Sequence, residues 1–306
     1  MQQSPESKKQ RSGVIYGVVA FSAWGILPLY WKVLKQVPAI EILSHRIVWS
    51  FVFVIGILWA AKSWPVVQAA LATAKIRLAV FLCAICIGVN WFLYIWAVNS
   101  GHIVDSSMGY YINPLFSVFL GVLVLRERLN FWQKVSLGLA ILGLLIIAFH
   151  YGRIPMVSLS LALTFGLYGL FKKLANLDSL ISLALETAVL APFALGFLIW
   201  QQFRGLAAFG TGSFIVTIML VGAGVVTAMP LYWFGQATRR VSLATVGFTQ
   251  YLSPTFSLIL GIFLYKEKFT SVHLLSFGLI WAALVLYSLS GTPVLTKLQP
   301  KWMKTG

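Results

Sequence analysis

Charged side chains are scarce in this sequence. They make up 10% of its 306 residues, whereas 59% are hydrophobic and the mean hydropathy is +0.88. Soluble domains carry roughly 25% charged residues. The shortage therefore excludes an ordinary soluble fold and predicts a membrane protein. It also disfavours a membrane enzyme, because few ionisable side chains are available for chemistry.

The sequence also lacks the common motifs of soluble catalysis. It contains no Walker A sequence, no HExxH and no GxSxG, which disfavours ATP hydrolysis within this chain and zinc or serine hydrolysis. Its cysteines, Cys83 and Cys86, lie within the apolar run LAVFLCAICIGV. We interpret them as buried hydrophobic residues, not as a redox or metal pair. We therefore expect no enzyme, no cofactor and no metal.

The charge that is present is mostly positive, with a formal net charge of +16. Most lysines and arginines lie in short segments between apolar runs, where such residues orient a membrane protein and contact anionic lipid. We therefore expect membrane lipid, and not nucleic acid, as the partner of these charges.

Ten apolar stretches are long enough to cross a bilayer, which requires about 20 residues. Lipid offers the backbone no hydrogen bonds and the alternation of a membrane β-barrel is absent, so these stretches are predicted to be α-helices. The segments between them, such as AKSWPVVQAALATAKIR, are predicted to be loops. The predicted spans are residues 13–33, 40–61, 77–98, 106–125, 133–151, 154–172, 179–200, 213–235, 241–264 and 271–289.

The second half of the sequence repeats the first at a constant offset. NPLFSVFLGVLVLRERL, residues 113–129, recurs as SPTFSLILGIFLYKEKF, residues 253–269. A duplicated unit predicts a transporter, because two packed halves can alternately open a shared site. Each half contains five predicted spans, an odd number, so the halves should be inverted around a central cavity. The predicted division is an N-terminal tail (1–12), two five-helix repeats (13–151 and 152–290) and a C-terminal tail (291–306).

Two ionisable residues occupy equivalent positions in this repeat. Arg46 lies about two turns inside the second span and aligns with Glu186 in the seventh. A charge at the bilayer centre costs about 2.5–3.5 kcal/mol on insertion scales, so it usually faces a cavity or a partner. We predict that both line the central cavity and bind substrate or act in gating. The alternative, that each locks a helix pair or reaches the interface, stays open. His45 shares a helical face with Glu41 and joins the candidates.

Amide and aromatic side chains accompany these charges. Apolar walls with a few polar groups suit a planar or amphiphilic solute, although Trp and Tyr also form interfacial belts. The candidates are Asn90, Tyr94, Tyr110, Tyr111, Asn113, Tyr232, Gln236, Gln250 and Tyr251. Prolines within spans can kink helices and free carbonyls that line a cavity. These are Pro28, Pro114, Pro192, Pro230 and Pro254.

Several segments resemble those of the RarD proteins, which belong to the EamA branch of the drug/metabolite transporter superfamily. They include AFSAWGILPLYWK, EILSHRIVWS, NWFLYIWAVNSGHIVDSSMGYYINPL and QYLSPTFSLILG, and the resemblance covers about residues 13–290. It implies ten helices in two inverted repeats around a cavity in the bacterial inner membrane. It also implies a small-molecule permease, an activity often labelled chloramphenicol permease.

The sequence thus favours a secondary transporter that exports a small metabolite or an amphiphilic drug such as chloramphenicol by alternating access. A channel-like protein or passive exchanger for small polar metabolites is the alternative, although no charged ring or filter-like loop recurs. A proton carried by Glu186 or His45 could couple transport, and passive exchange fits the sequence equally well. The oligomeric state does not follow from the sequence.

The distribution of lysine and arginine predicts the orientation. Sixteen lie in the tails and in the loops that follow even-numbered spans, against six on the opposite side. Because cytoplasmic loops are enriched in these residues, both termini are predicted to be cytoplasmic.

A reporter fused within residues 99–105 tests this orientation. Alkaline phosphatase inserted there should be active, because the enzyme matures only outside the cytoplasm. The same reporter placed after residue 62 should be inactive. Activity only at the second position would overturn the predicted topology.

Overall fold

The computed structural model of this protein describes residues 5–99, 103–152, 156–211, 213–264 and 271–292, together with Leu295, Thr296 and Leu298. These residues form thirteen α-helices and no strand. The helices are α1 (Pro5–Ile26), α2 (Pro28–Val33), α3 (Ala39–Ala60), α4 (Trp64–Ala72), α5 (Ala74–Asn99), α6 (Ile103–Leu123), α7 (Phe131–Tyr151), α8 (Met156–Ala175), α9 (Ser179–Phe203), α10 (Phe214–Arg240), α11 (Leu243–Gln250), α12 (Leu252–Phe263) and α13 (Ser271–Leu289).

Eight helical segments in the described residues are long and apolar enough to cross a membrane. They are α1 with α2, then α3, most of α5, and α7, α8, α9, α10 and α13. The prediction of an all-α, multi-pass membrane protein is therefore confirmed. The other two predicted spans, 106–125 and 241–264, fall on α6 and on α11 with α12. Of these, α6 supplies a shorter apolar helix, Gly109–Leu123.

Two helical segments depart from the predicted boundaries. α1 begins at Pro5, whereas the predicted span begins at residue 13, because the polar residues between them are good helix formers. The predicted loop at 62–76 was wrong, since it contains α4. Arg77 donates from Nη1 to the carbonyls of Leu71 and Ala72, at 2.7 and 3.1 Å, and so satisfies the end of this helix. Its nine residues are too few to cross a membrane and gave no span signal.

The five prolines named above divide into two groups. Pro28 and Pro254 stand in the first turn of α2 and α12, just after breaks at Leu27 and Tyr251. A proline has no N–H to donate to the preceding turn, which explains why a new helix starts there. Pro114, Pro192 and Pro230 lie inside α6, α9 and α10, which continue past them.

The repeat is visible in the helix bounds. α3, α5, α6 and α7 begin at Ala39, Ala74, Ile103 and Phe131, and α9, α10, α11 and α13 begin at Ser179, Phe214, Leu243 and Ser271, which are the equivalent positions of the second half. Equivalent helices also pack across the two halves. α1 of the first half packs against α10, α11 and α12 of the second, and α8 of the second half packs against α5 and α6 of the first. Each half therefore uses helices of the other half to bury its apolar faces.

Corresponding helices that pack together run antiparallel. At the start of α7, the Asn130 amide donates to the carbonyl of Ser290 beyond the end of α13, at 3.3 Å. Near the start of α13, the Ser276 hydroxyl donates to Gly143 in the second half of α7, at 2.6 Å. α3 and α9 show the same relation, since Glu41 at the start of α3 bonds the loop after α9.

A close backbone contact joins the two halves between α3 and α10. A Cβ on Gly224 would stand 2.7 Å from the backbone nitrogen of Ser50, and the Ser50 hydroxyl donates to the Gly224 carbonyl at 2.9 Å. Small residues allow such backbone contact between membrane helices. This contact brings the start of α3, including Arg46, against the middle of α10.

Candidate functional site

Arg46 is held at the interface of several helices. Its Nε donates to the Thr227 hydroxyl on α10 at 3.0 Å. Its guanidinium carbon lies 4.9 Å from the ring centre of Trp31 on α2 and 5.2 Å from that of Trp91 on α5. Such cation–π contacts are attractive and strengthen as water is excluded. The side chain is therefore fixed by one hydrogen bond and two indole rings.

Two partly exposed tyrosines lie near this arginine. Tyr94 on α5 and Tyr110 on α6 lie within electrostatic range of the Arg46 guanidinium. Their rings meet edge to face, with centroids 6.3 Å apart. Although they lie next to a side chain in the helix bundle, they are 37% and 44% exposed. Arg46 is itself partly exposed, and we call Arg46, Trp31, Trp91, Tyr94 and Tyr110 the Arg46 cluster.

Asn90 lies one turn before Tyr94 on α5, and its amide joins two helices. Nδ2 donates to the Leu161 carbonyl at 2.8 Å and to the Thr164 hydroxyl at 2.9 Å, both on α8. Both amide protons are therefore engaged by the protein. This arrangement suits a residue that fixes α5 against α8.

Glu41 and His45 form a separate buried pair beneath the loop that follows α9. The Ala208 N–H donates to Glu41 Oε1 at 2.7 Å, and His45 Nε2 lies 4.0 Å from the same oxygen. Trp49 Nε1 donates to His45 Nδ1 at 3.2 Å, so a neutral imidazole carries its proton on Nε2, facing the carboxylate. The other carboxylate oxygen of Glu41 has no hydrogen-bond partner among the described residues. The predicted i, i+4 relation thus brings an acid and a base together.

Glu186 lies deep in the protein and binds a lysine. Its carboxylate accepts hydrogen bonds from Lys172 Nζ at 2.8 and 3.1 Å, from the Tyr168 hydroxyl at 3.0 Å and from the Ser182 hydroxyl. Glu186 is 1% exposed and Lys172 is 3% exposed. All these partners lie on α8 and α9. The contacts therefore favour a residue that joins two helices, and not one that lines a cavity. Arg46 occupies the equivalent position in the first half but binds other residues.

Three further candidates lie where α6 packs against α11 and α12. The Gln250 amide donates to the Ser117 hydroxyl at 2.8 Å. The Tyr251 hydroxyl, Asn113 Oδ1 and Gln250 Oε1 are buried without a hydrogen-bond partner in the part of the chain that the structure describes. These residues therefore do not join the Arg46 cluster.

The remaining candidates contact other helices. Tyr111 packs edge to face on Phe277 of α13, with ring centres 5.2 Å apart. Tyr232 meets Tyr16 of α1 at 6.4 Å. The Gln236 side chain accepts a hydrogen bond from Arg240. The structure thus brings Arg46, Tyr94 and Tyr110 together and places the other predicted residues in helix contacts.

One polar centre was not predicted from the sequence. The Glu127 carboxylate accepts from the N–H groups of Leu243 and Ala244, at 2.6 and 2.9 Å, and so binds the start of α11. Lys173 Nζ lies 3.6 Å from Glu127 Oε1 and donates to the Val241 carbonyl at 2.5 Å. A carboxylate at a helix N-terminus satisfies free N–H groups and the helix dipole. The available signal was the identity of Glu127 and Glu267 in the repeat, but Glu267 lies outside the described residues.

Three sets of contacts follow one another along α10: the Arg46 cluster, the rings around Phe234 and the contact of Lys173 with Glu127. Thr227 binds Arg46, Phe234 lies seven residues later and Val241 lies seven residues after that. At 1.5 Å per residue, each step is about 10 Å. Phe234 is fully buried, stacks on Tyr168 at 5.6 Å and packs against Phe165 at 5.4 Å. The partly exposed Arg46 cluster is thus followed along α10 by a packed aromatic layer and then by an ionic contact.

The Lys172–Glu186 pair predicts non-additive mutational effects. Lys172→Met and Glu186→Gln should each lower the free energy of unfolding by about 3–5 kcal/mol, because each leaves a buried charge without its partner. The double variant should be more stable than the sum of these losses predicts, since no charge remains. Thermal unfolding in detergent measures all three.

The exposed Arg239–Asp178 pair, with an N–O distance of 3.3 Å, is the matched control. Arg239→Gln should change stability by less than about 1 kcal/mol, as is usual for surface pairs. Additive losses in the Lys172 and Glu186 double variant would contradict the interpretation of the pair as a lock.

Comparison with known proteins agrees with this architecture. A family model described as the EamA-like transporter family matches residues 11–149 and again residues 154–289. The chain is 46% identical over 305 residues to the uncharacterized transporter YojE of Bacillus subtilis, an alignment that covers 99% of this chain and 98% of that protein. It is 44% identical over 278 residues to the protein RarD of Streptomyces exfoliatus, covering 91% of this chain and 88% of the relative.

The fold also has a counterpart among solved structures. One crystal structure aligns with a TM-score of 0.71 and covers 93% of this chain and 99% of its own. At 14% sequence identity, this likeness supports the fold alone. The family match and the RarD relatives go further, because they cover nearly the whole chain at substantial identity. The chain therefore belongs to the EamA-like transporter family and is a multi-pass membrane transporter related to the RarD proteins.

Proposed function

We propose that this protein is a secondary permease that exports a small metabolite or an amphiphilic drug such as chloramphenicol. Transport would proceed by alternating access between two inverted repeats, residues 13–151 and 152–290, in the bacterial inner membrane with both termini cytoplasmic. The order of contacts along α10 carries this proposal. The partly exposed Arg46 cluster lies about 10 Å along α10 from the packed layer around Phe234, and about 10 Å further on Lys173 and Glu127 join α8, α10 and α11.

The antiparallel packing of corresponding helices supports an inverted repeat. α7 against α13 and α3 against α9 each pair helices that begin at equivalent positions of the two halves and run in opposite directions. Two units of this kind can exchange conformations, so that the contacts that close one end reappear at the other. Ten spans follow if α6, and α11 with α12, also cross the membrane.

The packed aromatic layer supports a carrier over an open pore. Around Phe234, the rings of Phe21, Trp24, Phe165 and Tyr168 lie with centroids 5.4–5.9 Å from its own. A solute could pass this layer only if α1, α8 and α10 moved apart. A channel-like protein for small polar metabolites would instead need a path open at both ends.

His45 and Glu186 remain the candidates for a coupling proton. His45 faces a carboxylate with one unpartnered oxygen among the described residues, which offers a place for a proton. Glu186 is bound by Lys172, so its protonation would break a buried ion pair. Passive exchange needs neither group to titrate. Transport with and without a pH gradient distinguishes these mechanisms.

Counterflow in proteoliposomes tests the carrier mechanism. Purified protein should take up labelled chloramphenicol, or members of a panel of labelled metabolites, several-fold faster into vesicles preloaded with the same unlabelled solute. Preloading accelerates a carrier because the site returns loaded, whereas a pore gains nothing. Uptake should also saturate. Flux that is linear in solute concentration and insensitive to preloading would contradict the proposal.

Glu127 provides a test of whether the end of the bundle at the start of α11 is closed. In a variant without its native cysteines, Val241→Cys should react slowly with a bulky maleimide, because Val241 is buried. Glu127→Ala removes two hydrogen bonds to the start of α11, each worth roughly 1.5–3 kcal/mol for a charged acceptor. Labelling should therefore become at least about tenfold faster.

Arg128→Ala is the matched control for this labelling experiment. Arg128 neighbours Glu127, is exposed and has no ion pair among the described residues. Its loss should leave the labelling rate unchanged. Equal rates in the Glu127 and Arg128 variants would show that Glu127 does not hold this end closed.

A further inference from the structure

We infer that the transported solute is a small organic anion whose carboxylate binds the guanidinium of Arg46 and whose apolar part lies against the aromatic side chains of the Arg46 cluster. This inference rests on the proposed permease function and names its substrate class. It narrows the substrate class to anions, and so predicts that carboxylates of similar size are better substrates than neutral chloramphenicol.

The free hydrogen-bonding groups of Arg46 are the first argument. Its Nε is bound by Thr227, but its two Nη nitrogens donate to no carbonyl or side chain in the described part of the chain. No carboxylate pairs with Arg46 among the described residues either. A planar guanidinium fork matches a carboxylate with two parallel hydrogen bonds. Among the described residues, protein contacts thus hold the side chain through Nε and leave both Nη nitrogens available.

The cost of the charge is the second argument. An unpaired cation in a membrane-spanning bundle is unfavourable unless water or a counter-charge reaches it. Arg46 is partly exposed, so both can reach it. Because Trp31 and Trp91 keep the surroundings apolar, an anion that displaces water there gains a stronger electrostatic interaction. The tyrosine hydroxyls can add hydrogen bonds to it.

The repeat provides an independent argument. In the second half, Lys172 on α8 is neutralised by Glu186 on α9 at 2.8 Å. The equivalent positions of the first half are Lys32 and Arg46, so that half carries cations at both. The carboxylate that closes this arrangement in one half is thus replaced by a cation in the other. A carboxylate of the solute would give Arg46 the counter-charge that Lys172 has in Glu186.

Probes of one shape and different charge test this inference. Purified protein in phosphatidylcholine vesicles is assayed by counterflow with phenylacetate, phenylacetamide, phenethylamine and chloramphenicol. Thermal unfolding in detergent with the same compounds reports binding. Wild type should exchange phenylacetate at least about tenfold faster than phenylacetamide and should be stabilised by phenylacetate alone among the four.

Variants then assign the selectivity to the arginine. Arg46→Gln should reduce phenylacetate exchange to the phenylacetamide level, and Arg46→Lys should retain part of it. Arg204→Gln is the matched control, because Arg204 also lies over a tryptophan, at 5.5 Å from the Trp200 ring, but is exposed after α9. It should behave as wild type. A single size-exclusion peak confirms that each variant is folded.

The outcomes separate this inference from the proposed function. Equal exchange of phenylacetate and phenylacetamide by wild type overturns the anion site but leaves a permease, and this comparison requires no variant to fold. Preference for the anion that survives in Arg46→Gln also overturns it. Stabilisation by phosphatidylglycerol and not by phenylacetate would assign the arginine to lipid and overturn it as well. Failure of wild type to exchange phenylacetate would overturn the inference, and the counterflow panel described above tests the permease separately.

Discussion

The cost of an unpartnered charge in a membrane interior governs where the polar residues of this protein lie. Lys172 and Glu186 are buried together, with Tyr168 and Ser182 completing the carboxylate's hydrogen bonds. The pair fixes α8 against α9, and Tyr168 in turn stacks on Phe234 of α10. The aromatic layer around Phe234 is therefore built onto a satisfied ion pair. If Glu186 were lost, the Tyr168 hydroxyl would lose its acceptor, and one ring of the layer would no longer be held by that hydrogen bond.

The sequence predicted what depends on local pattern. Apolar length predicts helices, since the backbone must bond internally in lipid, and the constant offset of the repeat predicts matching helix starts. Arg46 could be identified as a site residue because a charge within an apolar span is rare and needs an explanation. Its tyrosine neighbours, Tyr94 and Tyr110, were predicted for a different reason, because aromatic walls with a few polar groups suit a planar or amphiphilic solute.

The contacts that link distant segments could not be predicted in this way. Lys172 ends a predicted span and was counted with loop charges, so its burial against Glu186 gave no signal. Glu127 lies in a charged loop and finds its partners 116 and 117 residues away, at the start of α11. Gln250 and Tyr251 resemble site residues by type, yet the packing of α6 against α11 buries them elsewhere. Non-local packing decides such cases, and periodicity alone carries no information about it.

Because each half packs against helices of the other, one repeat alone would lack part of its packing. α1 completes the packing of α10, α11 and α12, whereas α8 completes that of α5 and α6. A chain of only one repeat would therefore leave long apolar interhelical faces without their partners. It could cover them only by associating with a second copy that supplies the missing helices. In the single polypeptide the second half is always present, because the segment between α7 and α8 links it covalently to the first. Two separate chains would first have to meet by diffusion.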